Sequence, residues 1–352
     1  MTLRIPDWVT YPGESWESIA PDDAGIDTDK WQKFLSDSDV RGAHWEGERH
    51  SDANDWGAVL AIGGRVLQSW GDPDYKFQTA SVGKAFTWAI FGLAVDAGLV
   101  VADDLVNKTW TGEGLFSHPH KYLTRGHHRE LKWRHLLGSK ATYGHDGGFP
   151  VTNGFYWAQG STGQMKEQAS NPVPAWAHWT GDPFYDNYSH TKPGTQRIYS
   201  SGGIWRLSQL LTVLWGDDIK HVIDDRLLSK IGVESDEWDW FPGREIHKTH
   251  DFYTEMPGYG RFVDPPYEID GHIVRGGGGW VVMSASNLAR FAHLIATQGM
   301  WNGERIMSPE WLRSHGGGNK SLASGESDYF TALGKVTTEG IDHPLPVNLF
   351  AH

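Results

Sequence analysis

The sequence predicts an α+β fold, because a β-hairpin and several apolar helices follow from its local patterns. Residues 56–62 and 65–70 are short apolar runs joined by Gly63 and Gly64, which is typical of a β-hairpin. Residues 81–97 predict a helix, since apolar side chains recur there at helical spacing and a glycine follows at position 98. Strands and helices of this kind in one chain define the class.

The remaining elements follow in order along the chain. Asp27 is predicted to cap a helix from Thr28 that turns Trp31 and Leu35 inward. Residues 131–137 predict a short helix, residues 140–197 long loops, and residues 203–215 a second long helix. Four glycines at 276–279 precede the apolar run 280–283, and Ser284 or Ser286 is expected to cap a helix over 287–296.

Composition and charge exclude several functional classes. The 352 residues carry 31 basic and 44 acidic side chains, a net charge of −13, so we expect no nucleic acid and no membrane as a partner. There is no cysteine, which rules out a disulfide, a thiolate metal site or a cysteine nucleophile. Residues 1–18 contain no apolar core of a signal peptide, and no run of about 18 apolar residues occurs, so a cytoplasmic location is expected.

Ser81 and Lys84 are the candidate nucleophile and base. Three residues apart at the start of a predicted helix, they lie on one helix face. A serine hydroxyl needs a neighbouring base, and the free N–H groups of a helix N-terminus favour its alkoxide. Small or apolar residues around Lys84 predict that it is partly buried, which favours a neutral amine. Because Ser-x-x-Lys is a weak pattern by itself, its context in the chain carries the prediction.

That context resembles the serine β-lactamase-related superfamily, in the branch of class C β-lactamases, family VIII carboxylesterases and 6-aminohexanoate-dimer hydrolases. The resemblance covers about residues 50–315: a hairpin, the segment 77–86 with Ser81-x-x-Lys84, a helix ending in Leu-Leu at 137, Tyr199-Ser200-Ser201, and glycines before an Ala-Arg-Phe helix. It implies that Tyr199 relays the proton between Ser81 and the leaving group. Ser201 replaces the family's asparagine as a substrate-binding residue. A serine has less hydrogen-bonding capacity than an amide, which favours an esterase or amidase over a β-lactamase.

The family's third motif has two candidate positions. His315-Gly316-Gly317 is preferred, with His272 as the alternative; in the family this motif lies on a strand that lines the site. The resemblance also implies an oxyanion hole that uses the Ser81 backbone N–H and a second N–H that the sequence does not identify. Trp179, in the long loops, is a further candidate for contact with substrate. Because few residues follow Asn319, we expect the end of the sheet to be built differently.

The resemblance implies one catalytic domain over 1–352, of the β-lactamase/transpeptidase type. Residues 1–79 and 241–352 would contribute an antiparallel sheet flanked by helices, and residues 80–240 a mostly helical and loop region inserted between them. The expected function is hydrolysis of a small ester or amide through an acyl-enzyme on Ser81, without a cofactor or metal. The oligomeric state cannot be deduced from the sequence.

Three alternatives are also compatible with the sequence. The same residues could serve a β-lactamase or a D-amino-acid peptidase of the same fold. A histidine-rich stretch could instead make the chain a metal-dependent hydrolase. A non-catalytic ligand-binding relative would keep the fold without the reaction. The histidines of that stretch are His118, His120, His127, His128, His135 and His145.

Overall fold

The computed structural model describes residues 5–37, 56–109, 129–137, 201–249 and 267–315. Within these ranges helices occur together with antiparallel strand pairs, in agreement with the predicted α+β class. The helices are α1 (Thr28–Asp37), α2 (Lys84–Asp96), α3 (Val106–Thr109), α4 (Ser201–Trp215), α5 (Ile219–Ile223), α6 (Gly243–Thr249), α7 (Ala285–Ala296) and α8 (Pro309–His315). The strands are β1 (Gly57–Ile62), β2 (Arg65–Gly71), β3 (Phe77–Gln78), β4 (Asp239–Trp240), β5 (Glu268–Ile269), β6 (His272–Ile273), β7 (Val281–Met283), β8 (Met300–Trp301) and β9 (Glu304–Arg305).

The predicted hairpin is confirmed as β1 and β2. Ile62 pairs with Arg65 across a two-residue turn, and both turn residues have left-handed backbones, with φ of 57° at Gly63 and 85° at Gly64. Two consecutive positive φ values suit glycine and match the right-handed twist of a hairpin. The Gly-Gly pair therefore fixes the register of the two strands.

A short three-stranded sheet connects distant parts of the chain. Its order is β3-β7-β4, and both pairings are antiparallel. Phe77 pairs with Met283, and Trp240 pairs with Val281. Because β3 ends two residues before the 3-10 turn Ala80–Gly83, this sheet determines where α2 begins.

Helix α2 is the centre of the core. Every residue from Lys84 to Ala94 is buried, as expected for a helix that is mostly apolar on all sides. Phe86 stacks on Phe291 of α7, with ring centroids 4.7 Å apart. After α2, Gly98 takes a left-handed φ of 72° and donates to the Val95 carbonyl, which confirms its predicted place.

No helix within the described ranges combines the length and apolar character needed to cross a bilayer.

The other predicted helices are also found, with small shifts at their ends. Helix α1 begins at Thr28, where the Asp27 carboxylate accepts from the Lys30 N–H at 3.0 Å. Helix α4 begins two residues before the predicted start, and residues 133–137 form a 3-10 turn rather than an α-helix. The Ser284 hydroxyl accepts from the Asn287 N–H, so Ser284 rather than Ser286 is the cap of α7.

His135 predicts a pH-dependent stability of the fold. It is buried, and its Nδ1 accepts from the Lys132 backbone N–H at 3.0 Å. Burial, with the charges of Arg134 and Lys132, lowers its pKa from 6.5 to about 4, against an opposing effect of Asp103. The unfolded chain therefore binds the proton more tightly, so stability is complete above pH 6.5 and decreases as the pH falls towards 4. By pH 4.5 the loss is about 2–3 kcal/mol.

The comparison protein for this prediction is His135→Asn, whose amide oxygen can still accept from Lys132 but does not titrate. Urea unfolding at pH 7.5 and pH 4.5 should show a loss that is about 2–3 kcal/mol larger in the wild type. His293, whose pKa burial also lowers, titrates in both proteins and cancels from the difference. Equal losses in the two proteins would show that His135 does not carry the effect.

Candidate active site

The turn that contains Ser81 is anchored on the sheet directly before it. The N–H and the hydroxyl of Thr79 both donate to the Val281 carbonyl of β7, at 2.8 and 2.9 Å. The backbone then turns through Ala80–Gly83 into α2. Ser81 thus lies at the N-terminal end of a buried helix, where backbone N–H groups create a positive potential. This is the position that the sequence predicts for a nucleophile.

Lys84 is the first residue of α2, and its side chain is fully buried, with an exposed fraction of 0%. The sequence predicts only partial burial. Its Nζ donates a hydrogen bond to the backbone carbonyl of Gly278. Because transfer of an ammonium group into a protein interior is costly, an uncharged amine is the form that such surroundings favour.

The Gly278 carbonyl belongs to residues 275–280, called the glycine segment below. The described hydrogen bonds provide a donor for the carbonyl of each of its six residues, so the segment is held along its whole length. These donors are Ser208 Oγ for Arg275, Trp240 Nε1 for Gly276, Thr87 Oγ1 for Gly277, Lys84 Nζ for Gly278, Trp240 Nε1 for Gly279, and the Phe241 N–H for Trp280.

Close contacts explain why glycine is needed at two positions here. A Cβ atom on Gly83 would lie 2.8 Å from the Gly279 carbonyl carbon, and one on Gly277 would lie 2.6 Å from the Ser208 Cβ of α4. Trp280, which follows, has a left-handed φ of 62°, a conformation that costs a bulky residue about 1–2 kcal/mol. The segment is therefore pressed against the turn of Ser81 and held against its backbone preference.

A buried ion pair anchors the beginning of the glycine segment. The guanidinium of Arg275 binds the carboxylate of Asp218 through Nε at 3.0 Å and Nη2 at 2.6 Å, and its Nη1 donates to the Trp240 carbonyl at 2.5 Å. Asp218 also caps α5 by accepting from the Lys220 N–H at 2.9 Å. The ion pair thus connects the start of α5, strand β4 and the glycine segment.

The structure places some of the predicted site residues and not others. Ser81 lies in the turn before α2, Ser201 is the first residue of α4, and His315 is the last residue of α8, each with its backbone alone described. Tyr199, Trp179, Gly316 and Gly317 lie outside the described residues. That Ser81, Lys84 and Tyr199 lie close together therefore remains a prediction.

The third motif was predicted on a strand, but His315 ends a helix. The reason is local: Ser308 caps α8 by accepting from the Trp311 N–H at 3.1 Å, and Pro309 suits the first helical position. The alternative, His272, does lie on a strand, β6. Its Nδ1 is 3.6 Å from the Asp217 carboxylate.

Of the histidine-rich stretch, the structure describes His135, which accepts from a backbone N–H as a buried neutral side chain would. His118, His120, His127, His128 and His145 lie outside the described residues. Elsewhere in the described ranges, no group of three or more histidine, aspartate or glutamate side chains could hold a metal ion.

The sequence does not indicate the residues that hold Lys84 and the glycine segment. Gly277 and Gly278 enter the sequence prediction only as a glycine run and as part of the family resemblance, and Thr87, Trp240 and Asp218 do not enter it. One signal was available: Thr87 is a polar residue one turn after Lys84 on a helix that is otherwise almost entirely apolar. A polar residue in such a helix needs a partner, and here the partner is the Gly277 carbonyl at 2.8 Å.

Comparison with known proteins bears on the fold of the chain. A family model described as Beta-lactamase matches residues 56–333. Among solved structures, similar folds occur in a protein assigned as a 6-aminohexanoate-dimer hydrolase from Bacillus anthracis (13% identity, TM-score 0.48, 89% of this chain and 71% of that one) and in an octameric penicillin-binding protein homologue from Pyrococcus abyssi (16%, 0.48, 83% and 60%). A D-stereospecific amidohydrolase from Streptomyces sp. is a third (16%, 0.41, 73% and 69%). No curated protein sequence matches the chain. The family match, which covers most of the chain, assigns the fold.

Proposed function

This chain belongs to the β-lactamase family, and we propose that it is a serine hydrolase that cleaves a small ester or amide through an acyl-enzyme on Ser81. The observation that carries the proposal is the state of Lys84. It lies one helical turn after Ser81, it is fully buried, and its Nζ is held by the Gly278 carbonyl. A lysine on the surface would share only the spacing, whereas burial and a fixed Nζ are what we expect of a general base beside a nucleophile.

In the proposed reaction, the Ser81 hydroxyl attacks the substrate carbonyl as Lys84 accepts its proton. The resulting oxyanion is stabilised by the Ser81 backbone N–H and by the positive end of α2. The tetrahedral intermediate collapses when the alcohol or amine leaves with a proton, which Tyr199 passes on from Lys84. A water molecule then attacks the acyl-serine by the same route in reverse, releasing the acid and restoring the hydroxyl of Ser81.

The substrate class is inferred from Ser201. Where relatives have an amide side chain that both donates and accepts, a serine hydroxyl offers one donor on a shorter side chain. From this smaller hydrogen-bonding capacity we infer that an ester or a linear amide is preferred over a lactam. A panel of p-nitrophenyl esters, linear amides and nitrocefin tests this choice. Turnover of nitrocefin faster than that of any ester would establish the β-lactamase alternative.

Covalent labelling of Ser81 tests the proposed function without knowledge of the natural substrate. A fluorophosphonate reacts with activated serines, so intact-mass spectrometry of the labelled protein should show one added phosphonyl group, and peptide mapping should place it on Ser81. The Ser81→Ala variant should not be labelled, whereas Ser69→Ala, which changes an exposed serine of β2, should react like the wild type. Absence of an adduct on Ser81 in the folded wild type would refute the proposal.

A further inference from the structure

Trp240 of β4 holds the glycine segment through carbonyls that α2 does not bind. Its side chain is fully buried, and its indole N–H is shared between the carbonyls of Gly276, at 3.0 Å, and Gly279, at 2.9 Å. These residues flank Gly277 and Gly278, whose carbonyls accept from Thr87 and Lys84 of α2. The indole therefore fixes both ends of the four-glycine run while α2 holds its middle.

We propose that Trp240 is a positioning residue for the reaction, because its indole N–H keeps the Gly278 carbonyl where it can hold the Nζ of Lys84. The inference rests on the proposed function, in which Lys84 is the general base. Four consecutive glycines have the greatest backbone freedom of any sequence, so a carbonyl in their midst stays fixed only if neighbouring groups hold it. Trp240 supplies that restraint from a strand paired with β7.

The position of this carbonyl affects two properties of a lysine base. A neutral amine has two N–H bonds and one lone pair, so a fixed acceptor for one N–H limits where the lone pair can point. The same carbonyl oxygen stabilises the ammonium form more than the neutral form, since its partial negative charge faces the nitrogen. Orientation and proton affinity together determine how efficiently a base removes a proton. A carbonyl that moves would change both.

Two further contacts link Trp240 to the rigidity of the segment. Its backbone carbonyl accepts from Nη1 of Arg275, whose guanidinium is bound to Asp218. At the other end, Trp280 is kept in a left-handed conformation although it is bulky, and its carbonyl accepts from the N–H of Phe241, the residue after Trp240. Backbone strain of this kind persists where the surrounding structure imposes it, and such sites are frequently functional.

The test is Trp240→Phe, which removes the indole N–H and keeps an aromatic ring. The rate of Ser81 labelling by a fluorophosphonate is measured from pH 5 to pH 10, together with kcat and KM for a p-nitrophenyl ester. We expect the maximal labelling rate and kcat to fall about tenfold and the pH of half-maximal labelling to shift by about half a unit or more, with KM changed less than about twofold.

Trp238→Phe is the matched control. Trp238 is also buried, it is two residues away, and its indole N–H donates to the Asp224 carboxylate at 2.5 Å rather than to the glycine segment. It should lose a comparable amount of stability in urea unfolding while keeping the wild-type pH profile. If Trp240→Phe does not fold, 3-benzothienylalanine at position 240 keeps the shape of the indole and replaces its N–H with sulfur.

The outcomes separate this inference from the proposed function. If the wild type is labelled at Ser81 but removal of the N–H at position 240 leaves the wild-type pH profile and a rate similar to that of Trp238→Phe, then Trp240 is structural only and the inference is wrong. If the wild type itself is not labelled at Ser81, the proposed function has failed.

Discussion

Replacing Lys84 with methionine lowers kcat/KM for a p-nitrophenyl ester at least about 1,000-fold, since the Ser81 hydroxyl then has no base to accept its proton. Methionine keeps most of the apolar stem and volume of lysine within the core. Loss of the buried amine should stabilise the variant. Loss of the donor to the Gly278 carbonyl should destabilise it. These effects oppose each other, so we expect the free energy of unfolding to stay within about 2 kcal/mol of the wild type.

Lys76→Met is the matched control for this prediction. Lys76 is exposed, precedes the same turn and donates to the Asp236 carbonyl at 2.9 Å. It undergoes the same chemical change and should keep activity within about twofold of the wild type. Steady-state kinetics and urea unfolding of the wild type, Lys84→Met and Lys76→Met test the prediction. A Lys84→Met enzyme that is folded and keeps more than about a tenth of the activity would show that another group is the base.

Local features of the fold could be predicted because each depends on residues close in sequence. The Gly63-Gly64 turn, the glycine after α2 and the Ser284 cap all require a particular backbone conformation or hydrogen bond within a few residues. The pairing of β3 with β7 could not be predicted in this way. Each partner contributes two or three residues, which carry no periodic pattern of their own, and about 200 residues separate them.

In the candidate site, too, the contacts between residues close in sequence could be predicted and those between distant residues could not. Ser81 and Lys84 are neighbours in sequence, so their spacing on a helix could be predicted from the residues and strengthened by the family resemblance. The partners of Lys84 and Thr87 are backbone carbonyls of glycines 190 and more positions away. The residue type does not reveal which backbone carbonyl will be an acceptor, so the sequence predicted a partly buried lysine but not the group that holds it.

Replacing Asp218 with alanine lowers the free energy of unfolding by about 3–5 kcal/mol. The reason is that the Arg275 side chain, only 11% exposed, would lose its bidentate partner and keep only the exposed carboxylate of Asp239, 3.9 Å from its Nη1. The same change removes the cap that Asp218 provides for the Lys220 N–H of α5. Urea unfolding at pH 7.5 measures the loss as a lower midpoint.

Asp103→Ala provides the matched control, because Asp103 also contacts two cations. Its carboxylate is 2.8 Å from Lys132 and 3.1 Å from Arg134, but it is 58% exposed. Water compensates for the loss of an exposed pair, so we expect a cost below about 1 kcal/mol. Similar losses in the two variants would mean that burial of the Asp218–Arg275 pair has no energetic consequence.

The double replacement Asp218→Leu with Arg275→Met separates the cost of breaking this pair from the stability that the pair contributes. An intact buried pair must first lose its hydration, and its attraction only partly offsets that loss. We therefore expect the double variant to recover most of the stability that Asp218→Ala loses, although the Trp240 carbonyl then loses its donor, Arg275 Nη1. If stability returns while Ser81 labelling is slower than in the wild type, the pair is retained for the geometry of the glycine segment rather than for the stability of the fold. If stability returns and labelling is as fast as in the wild type, Trp240, Thr87 and Lys84 hold the segment sufficiently without the ion pair.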